Sequence, residues 1–280
     1  MKRSLPLLLV TAFAVVLLWG CEKKGDPPVL PSVETMKIDF SNFSIDSKSA
    51  GSEIINKGVE NSNWTFAATV AAVWNTILIY NIAVPVAAFN LAVEHKPAYL
   101  SDKKWEWRYS VSSVGATYNA RLTGQIREND VKWEMYIERE GVGGFGEFLW
   151  FEGTSGLDGK SGQWILNHSS QFPEPMLQID WTWDGEKIGS IKYSYIRELN
   201  NDRNTDLFKN SYIEYGLTDN TLDAYYDVHF YESLILEDFV DVNIEWSTTG
   251  YNGRVKAYYH YQDENWHCWD GNGNDTECPQ

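Results

Sequence analysis

Two hydrophobic periods divide the chain. From Trp105 onward the period is two residues. Tyr118, Ala120, Leu122 and Ile126 alternate with Asn119, Arg121, Thr123 and Arg127, and Val131, Trp133, Met135 and Ile137 with Lys132, Glu134, Tyr136 and Glu138. Leu177, Ile179, Trp181 and Trp183 repeat the pattern, as do Val240, Val242, Ile244 and Trp246. Such alternation marks half-buried antiparallel strands. Turn signals separate the runs: Glu128-Asn129-Asp130, Gly141 to Gly144, Asp184-Gly185-Glu186, Asp219-Asn220 and Asn252-Gly253. Their regular spacing predicts about eleven strands between Trp105 and Gln262, mostly joined as hairpins. Met36, Ile38 and Phe40 alternate within 34–45 and predict one further short strand.

Residues 61–93 break the pattern. They carry no charge and no glycine, and their Ala-rich core from Trp64 to Tyr80 favours helix. Asn61 or Ser62 can cap it, Pro85 should kink or split it, and Pro97 ends it, which gives a helix over about 62–95. Its length permits a membrane span, but Asn75, Asn81, Asn90 and Pro85 are costly in lipid. A helix apolar on all sides is otherwise expected in a core. Helix and strands each need a partner for their apolar surface. The fold class is therefore α+β, mostly antiparallel β: a curved sheet or barrel of about eleven strands packed around one long apolar helix.

The N-terminus reads as an address. Lys2 and Arg3 precede an apolar stretch from Leu5 to Leu18 that ends at Trp19-Gly20-Cys21. This is the layout of a secretory signal, and the Cys after a small residue resembles the lipobox of bacterial lipoproteins. The resemblance implies cleavage before Cys21 and acylation of Cys21, giving a signal peptide at 1–20 and a lipidated Pro-rich tether at 21–33. A single β-rich domain then fills 34–280. Glu22 after the Cys implies, by the same resemblance, the outer membrane, with the domain facing the periplasm. With Cys21 acylated, Cys268 and Cys278 are the remaining cysteines, expected to pair in an oxidising compartment and close a C-terminal loop at 268–278.

Composition narrows the functional classes. Trp, Tyr and Phe number 13, 16 and 12, far too many for a disordered chain. The net charge of −16 argues against nucleic acid, whose phosphates require clustered Lys and Arg. Gly-x-Ser-x-Gly, a P-loop and HExxH are absent from the sequence, and the glycines of Gly141 to Gly146 read as a loose hairpin rather than a phosphate cradle, since no strand-to-helix context follows. Carboxylates that share a strand face, such as Glu134 with Glu138 or Asp223 with Asp227, follow from acidity alone, so the reading leans away from an enzyme. Asp270, Asn272 and Asn274 have the i, i+2, i+4 spacing of a calcium loop, and calcium is the one cofactor this spacing would take. Asp275 stands where that loop needs Gly, so a disulfide-closed turn and no cofactor are the expectation, and a weak calcium site at Asp270, Asn272 and Asn274 is the alternative.

The expected function is non-catalytic binding by a membrane-anchored envelope protein. Its ligand would be a lipid or other apolar molecule, or a partner protein. The ligand-facing side of the helix would present Trp64, Phe66, Trp74, Ile77 and Phe89. Architecture and anchoring loosely resemble the carriers of the lipoprotein-localisation system, which have about eleven antiparallel strands in a half-barrel with helices in its mouth. Two alternatives stay open. Tyr225, Tyr226, Tyr231, Tyr258, Tyr259 and Tyr261 crowd the C-terminal strands and could stack sugars in a glycan-binding or glycan-active lipoprotein. A helix that fills the sheet would instead leave a scaffold with no small ligand.

Overall fold

The computed structural model describes residues 24–43, 62–184 and 186–279. The signal peptide and Cys21 lie outside the described residues. One long helix, α1 (Asn63–Ala92), packs against an open sheet of 14 strands in which each strand pairs with its sequence neighbours. Every pairing is antiparallel. The strands are β1 (Ala98–Tyr99), β2 (Lys104–Ser113), β3 (Ala116–Ile126), β4 (Asp130–Arg139), β5 (Phe145–Gly156), β6 (Ser161–Asn167) and β7 (Pro175–Trp183). The meander continues through β8 (Ile188–Tyr195), β9 (Tyr212–Leu217), β10 (Ala224–Glu232), β11 (Asp238–Trp246) and β12 (Gly253–Lys256). A four-residue helix, α2 (Tyr258–Tyr261), precedes β13 (His267–Trp269) and β14 (Asp275–Thr276). The expected eleven strands correspond to β2 through β12. The three extra strands are two or three residues long, too short to show a period.

The sheet curls around α1, which touches β2 and β3 near one edge and β12 and β13 near the other. Its N-terminus is fixed at the second edge. Ser62 caps it by accepting from Thr65 N at 3.1 Å, and Asp275 accepts from Asn63 N at 2.8 Å. Buried Asn63 also donates to the Cys268 carbonyl at 3.0 Å and accepts from Tyr261 Oη at 3.0 Å. Toward the other edge, Tyr109 Oη donates to the Ala88 carbonyl at 2.6 Å. The helix runs through Pro85 without the expected split. Pro85 lies on the buried face between Ile82 and Phe89, where tertiary packing outweighs the lost backbone bond.

Burial follows a stripe: Ala67, Ala71, Trp74, Leu78, Ile82, Pro85, Phe89 and Ala92. This is one face of a helix. The opposite face is apolar too but not covered. Tyr80 is 86% exposed, Ile79 56% and Val73 53%. The fully buried helix expected from composition is thus half right: one side is core and the other is surface.

Tryptophans and glycines alternate across the sheet. Trp105 faces Gly124, which faces Trp133, which faces Gly153, which faces Trp164. Gly162 faces Trp181, and Gly253 lies between Trp246 and Trp269. Opposed side chains begin only about 5 Å apart, so an indole can lie across the neighbouring strand only where that strand has no side chain. The six indoles at 105, 133, 164, 181, 246 and 269 are all at least 96% buried.

The strand expected within 34–45 does not form. Val33–Met36 and Ser41–Phe43 are instead single 3-10 turns, and residues 44 and 45 lie outside the described part. The segment crosses the inner face of the sheet rather than joining its ladder. Thr35 Oγ1 accepts from Trp164 Nε1 at 3.2 Å, and Tyr226 Oη donates to the Asp39 carbonyl at 2.5 Å. Phe43 packs edge-on against Trp246 and Trp269. Its apolar alternation therefore serves core burial without strand pairing. In the preceding Pro-rich segment, Pro28 and Pro31 are buried as well, so the chain is already docked before residue 33.

Candidate functional site

An apolar groove of about 530 Å³ lies between α1 and the β7–β10 part of the sheet. Phe66, Val70, Trp74 and Ile77 of α1 form one wall. Met176 and Leu177 of β7, with Phe230 and Tyr231 of β10, form the other. Tyr259 of α2 and Phe208 close its ends, and Thr69, Asn81 and Ser211 add polar atoms. None of its lining side chains is charged, in a chain with 39 acidic and 23 basic residues.

The walls are held from behind. Phe66 stacks on His260 with ring centroids 4.1 Å apart. Phe208 sits in the 196–211 connection, where Asp206 accepts from Phe208 N at 3.1 Å and from Tyr195 Oη at 2.8 Å. Buried Arg197 ties the same connection to Glu174 at 3.2 Å and to Asn201 at 2.8 Å. Burial, with help from Asp206, pushes the Tyr195 phenol up to about 12. Burial raises the Tyr259 phenol too, so both stay neutral.

The helix residues expected to face a ligand divide. Phe66, Trp74 and Ile77 line the groove. Phe89 does not; it is buried in the core against Phe151 and Trp164, at 6.0 and 5.3 Å between centroids. Trp64 packs beside Gly273 in the β13–β14 turn and also lies outside the groove. The 3.6-residue period explains the division. Positions 66, 70, 74 and 77 share a flank of the helix, and 89 has rotated onto the core stripe. Sequence reading missed Met176, Leu177 and Phe208. The Leu207-Phe208 pair in a polar connection was the only local signal for the last.

The C-terminal loop is closed by a Cys268–Cys278 disulfide with Cα atoms 5.2 Å apart. Within it the Asp270 carboxylate accepts from the backbone N–H of Asn272 at 2.8 Å and of Asn274 at 3.0 Å, and from the Asn274 amide at 3.2 Å. Those backbone bonds hold the Asp270 carboxyl below its usual range. The i, i+2, i+4 pattern is thus that of an Asp-capped hairpin turn. Among the described residues no cluster of three or more His, Cys, Asp or Glu could hold a metal ion.

The carboxylate pairs are likewise engaged. Burial would raise Glu134, but hydrogen bonds from Lys132 at 2.9 Å and Lys104 at 3.1 Å outweigh it and lower its pKa. Asp223 accepts from Thr248 N and Oγ1, both at 2.7 Å. His229 lies on β10 against Asp241, and His260 lies on α2. Compared with known proteins, the chain matches no family model, no curated protein and no solved structure.

Proposed function

We propose that the protein is a lipid-anchored binding protein of the bacterial envelope that holds an apolar chain, such as the acyl chain of a lipid, in the α1–β10 groove. The observation that carries this reading is the uncharged lining of that groove in a strongly acidic chain. Its volume of about 530 Å³ falls in the range of small-ligand sites. Each methylene moved from water into it contributes about 0.8 kcal/mol. Ten would contribute about 8 kcal/mol before the cost of immobilising the ligand. The exposed Val73, Ile77 and Ile79 extend the apolar surface outward from the groove and would give an entering chain a continuous path. Acyl chains on Cys21, implied by the lipobox resemblance, would hold the domain at the bilayer. The likeness to lipoprotein-localisation carriers is one of architecture only.

The test is native mass spectrometry of protein purified from a periplasm, followed by organic extraction. Adducts of lipid mass that vanish on extraction, and that are lost in Ile77→Glu while its melting temperature is kept, are the expected result. A clean protein mass, together with failure to take up a fluorescent fatty acid, refutes the reading.

A further inference from the structure

A second cavity, of about 590 Å³, lies between the outer face of β10–β12 and α2. It shares only Tyr259 with the groove, and its chemistry is different. Asp227, Asn243 and Lys256 form one row across three paired strands, through the registers Asp227–Asn243 and Asn243–Lys256. Adjacent strands are about 4.8 Å apart. The row thus presents an acceptor, an amide and a donor at roughly 5 Å intervals. Beside it stand Asp241 and the rings of Phe239 and Tyr258.

These groups are oriented by neighbours that leave them accessible. Asp241 accepts from His229 Nδ1 at 2.7 Å, and that imidazole stacks on Phe239 at 4.7 Å between centroids. Asp227 accepts from Asn243 Nδ2 at 3.0 Å and from Tyr212 Oη at 3.4 Å. Tyr258 is 58% exposed. The set combines flat aromatic faces with fixed carboxylates, an amide and one ammonium. A pyranose ring offers the complement, an apolar C–H face bordered by hydroxyls that both donate and accept. Lys256 also lies 3.9 Å from Glu264, a further carboxylate of the cleft. An apolar ligand would strip water from these charged groups without replacing it, and the carboxylates exclude a polyanion.

We propose that this cleft binds an oligosaccharide of pyranose units, independently of the apolar groove. The ring would lie on Tyr258 and Phe239, with hydroxyls donating to Asp227 and Asp241 and accepting from Lys256. Burial, reinforced by Glu214 and Asp241 against the opposing Tyr212 and Lys192, raises the Asp227 pKa. A sugar hydroxyl donating to this carboxylate would offset part of that cost.

Isothermal titration of the purified protein with cellotetraose, maltotetraose and the β-1,4 tetramer of N-acetylglucosamine, alongside pentalysine, tests the proposal. The expected result is saturable binding of at least one tetrasaccharide, weakened about tenfold or more in Tyr258→Ala and in Lys256→Met, both melting like the parent. Ile77→Glu in the apolar groove should leave it unchanged. No saccharide binding up to about 10 mM, saccharide binding indifferent to Tyr258→Ala, or binding of pentalysine alone would overturn it.

Discussion

Gly162→Ala tests whether the tryptophan layer depends on the glycines opposite it. A Cβ built on Gly162 would lie 2.5 Å from Trp181 Cζ2 and closer still to the Thr154 carbonyl of the facing strand. Neither neighbour can withdraw cheaply, because Trp181 is 2% exposed and Thr154 is held in the β5–β6 ladder. Overpacking of this kind costs about 1–3 kcal/mol. Against it stands about 0.4–1 kcal/mol gained because alanine restricts the unfolded chain. The net loss is about 1–2 kcal/mol, a drop in melting temperature of roughly 2–8 °C for a domain of this size. Gly146→Ala is the control. Gly146 also lies in a strand, β5, but a Cβ there meets nothing within 4 Å. Thermal melts followed by circular dichroism should place Gly146→Ala at or above the parent and Gly162→Ala clearly below it. Combining Gly162→Ala with Trp181→Leu should cost less than the two single changes added together, because the leucine vacates the space that the new methyl needs. Equal melting of the two alanine variants, or strict additivity in the double variant, would refute the reasoning.

Three further outcomes are expected. Reduction, or Cys268→Ser with Cys278→Ser, should lower stability by about 3 kcal/mol for a loop this short, read from urea unfolding. Asn63→Ala strands the Cys268 carbonyl and the Tyr261 hydroxyl and should cost about 1–3 kcal/mol by the same assay, while Thr69→Ala on the exposed side of α1 should be nearly neutral. Asp227→Asn addresses pH. Burial first, then Glu214 and Asp241, raise this carboxyl above its unfolded value against the pull of Tyr212 and Lys192. The native state therefore binds the proton more tightly than the unfolded chain, and its contribution to stability is lost as pH rises above about 4. The asparagine variant should gain stability relative to the parent on going from pH 4 to pH 7, and a parallel pH profile for the two proteins would count against the assignment.

Period-two alternation made β2 through β12 legible because each strand buries one face and wets the other. β1, β13 and β14 were not, since two or three residues cannot display a period. The segment 34–45 shows how alternation misleads. Met36 and Phe43 are buried on the inner face of the sheet, where hydrophobic contact needs no ladder. Pro85 misled in the other direction, because local propensity forbids what packing between Ile82 and Phe89 enforces. Half of the groove was legible as well. Phe66, Trp74 and Ile77 stood out in an uncharged helix, whereas Met176 and Leu177 look like any buried start of a strand. The Trp–Gly pairing was invisible for a different reason. It is a property of register, and register appears only when neighbouring strands are laid side by side.

The helix itself supplies the remaining step. Folding requires an apolar stripe on α1, and Ala67, Ala71, Trp74, Leu78, Ile82, Phe89 and Ala92 provide it. It does not require Val73, Ile77, Ile79 and Tyr80 on the far side, where ordinary helices place charge. Exposed apolar side chains on one helix face promote association and add nothing to the core. Their presence needs a cause outside the folded domain. The flank that continues from this face into the groove, through Val73 and Ile77, is shared by both surfaces. A single apolar ligand entering along α1 accounts for the uncharged groove and for the uncharged outer face together.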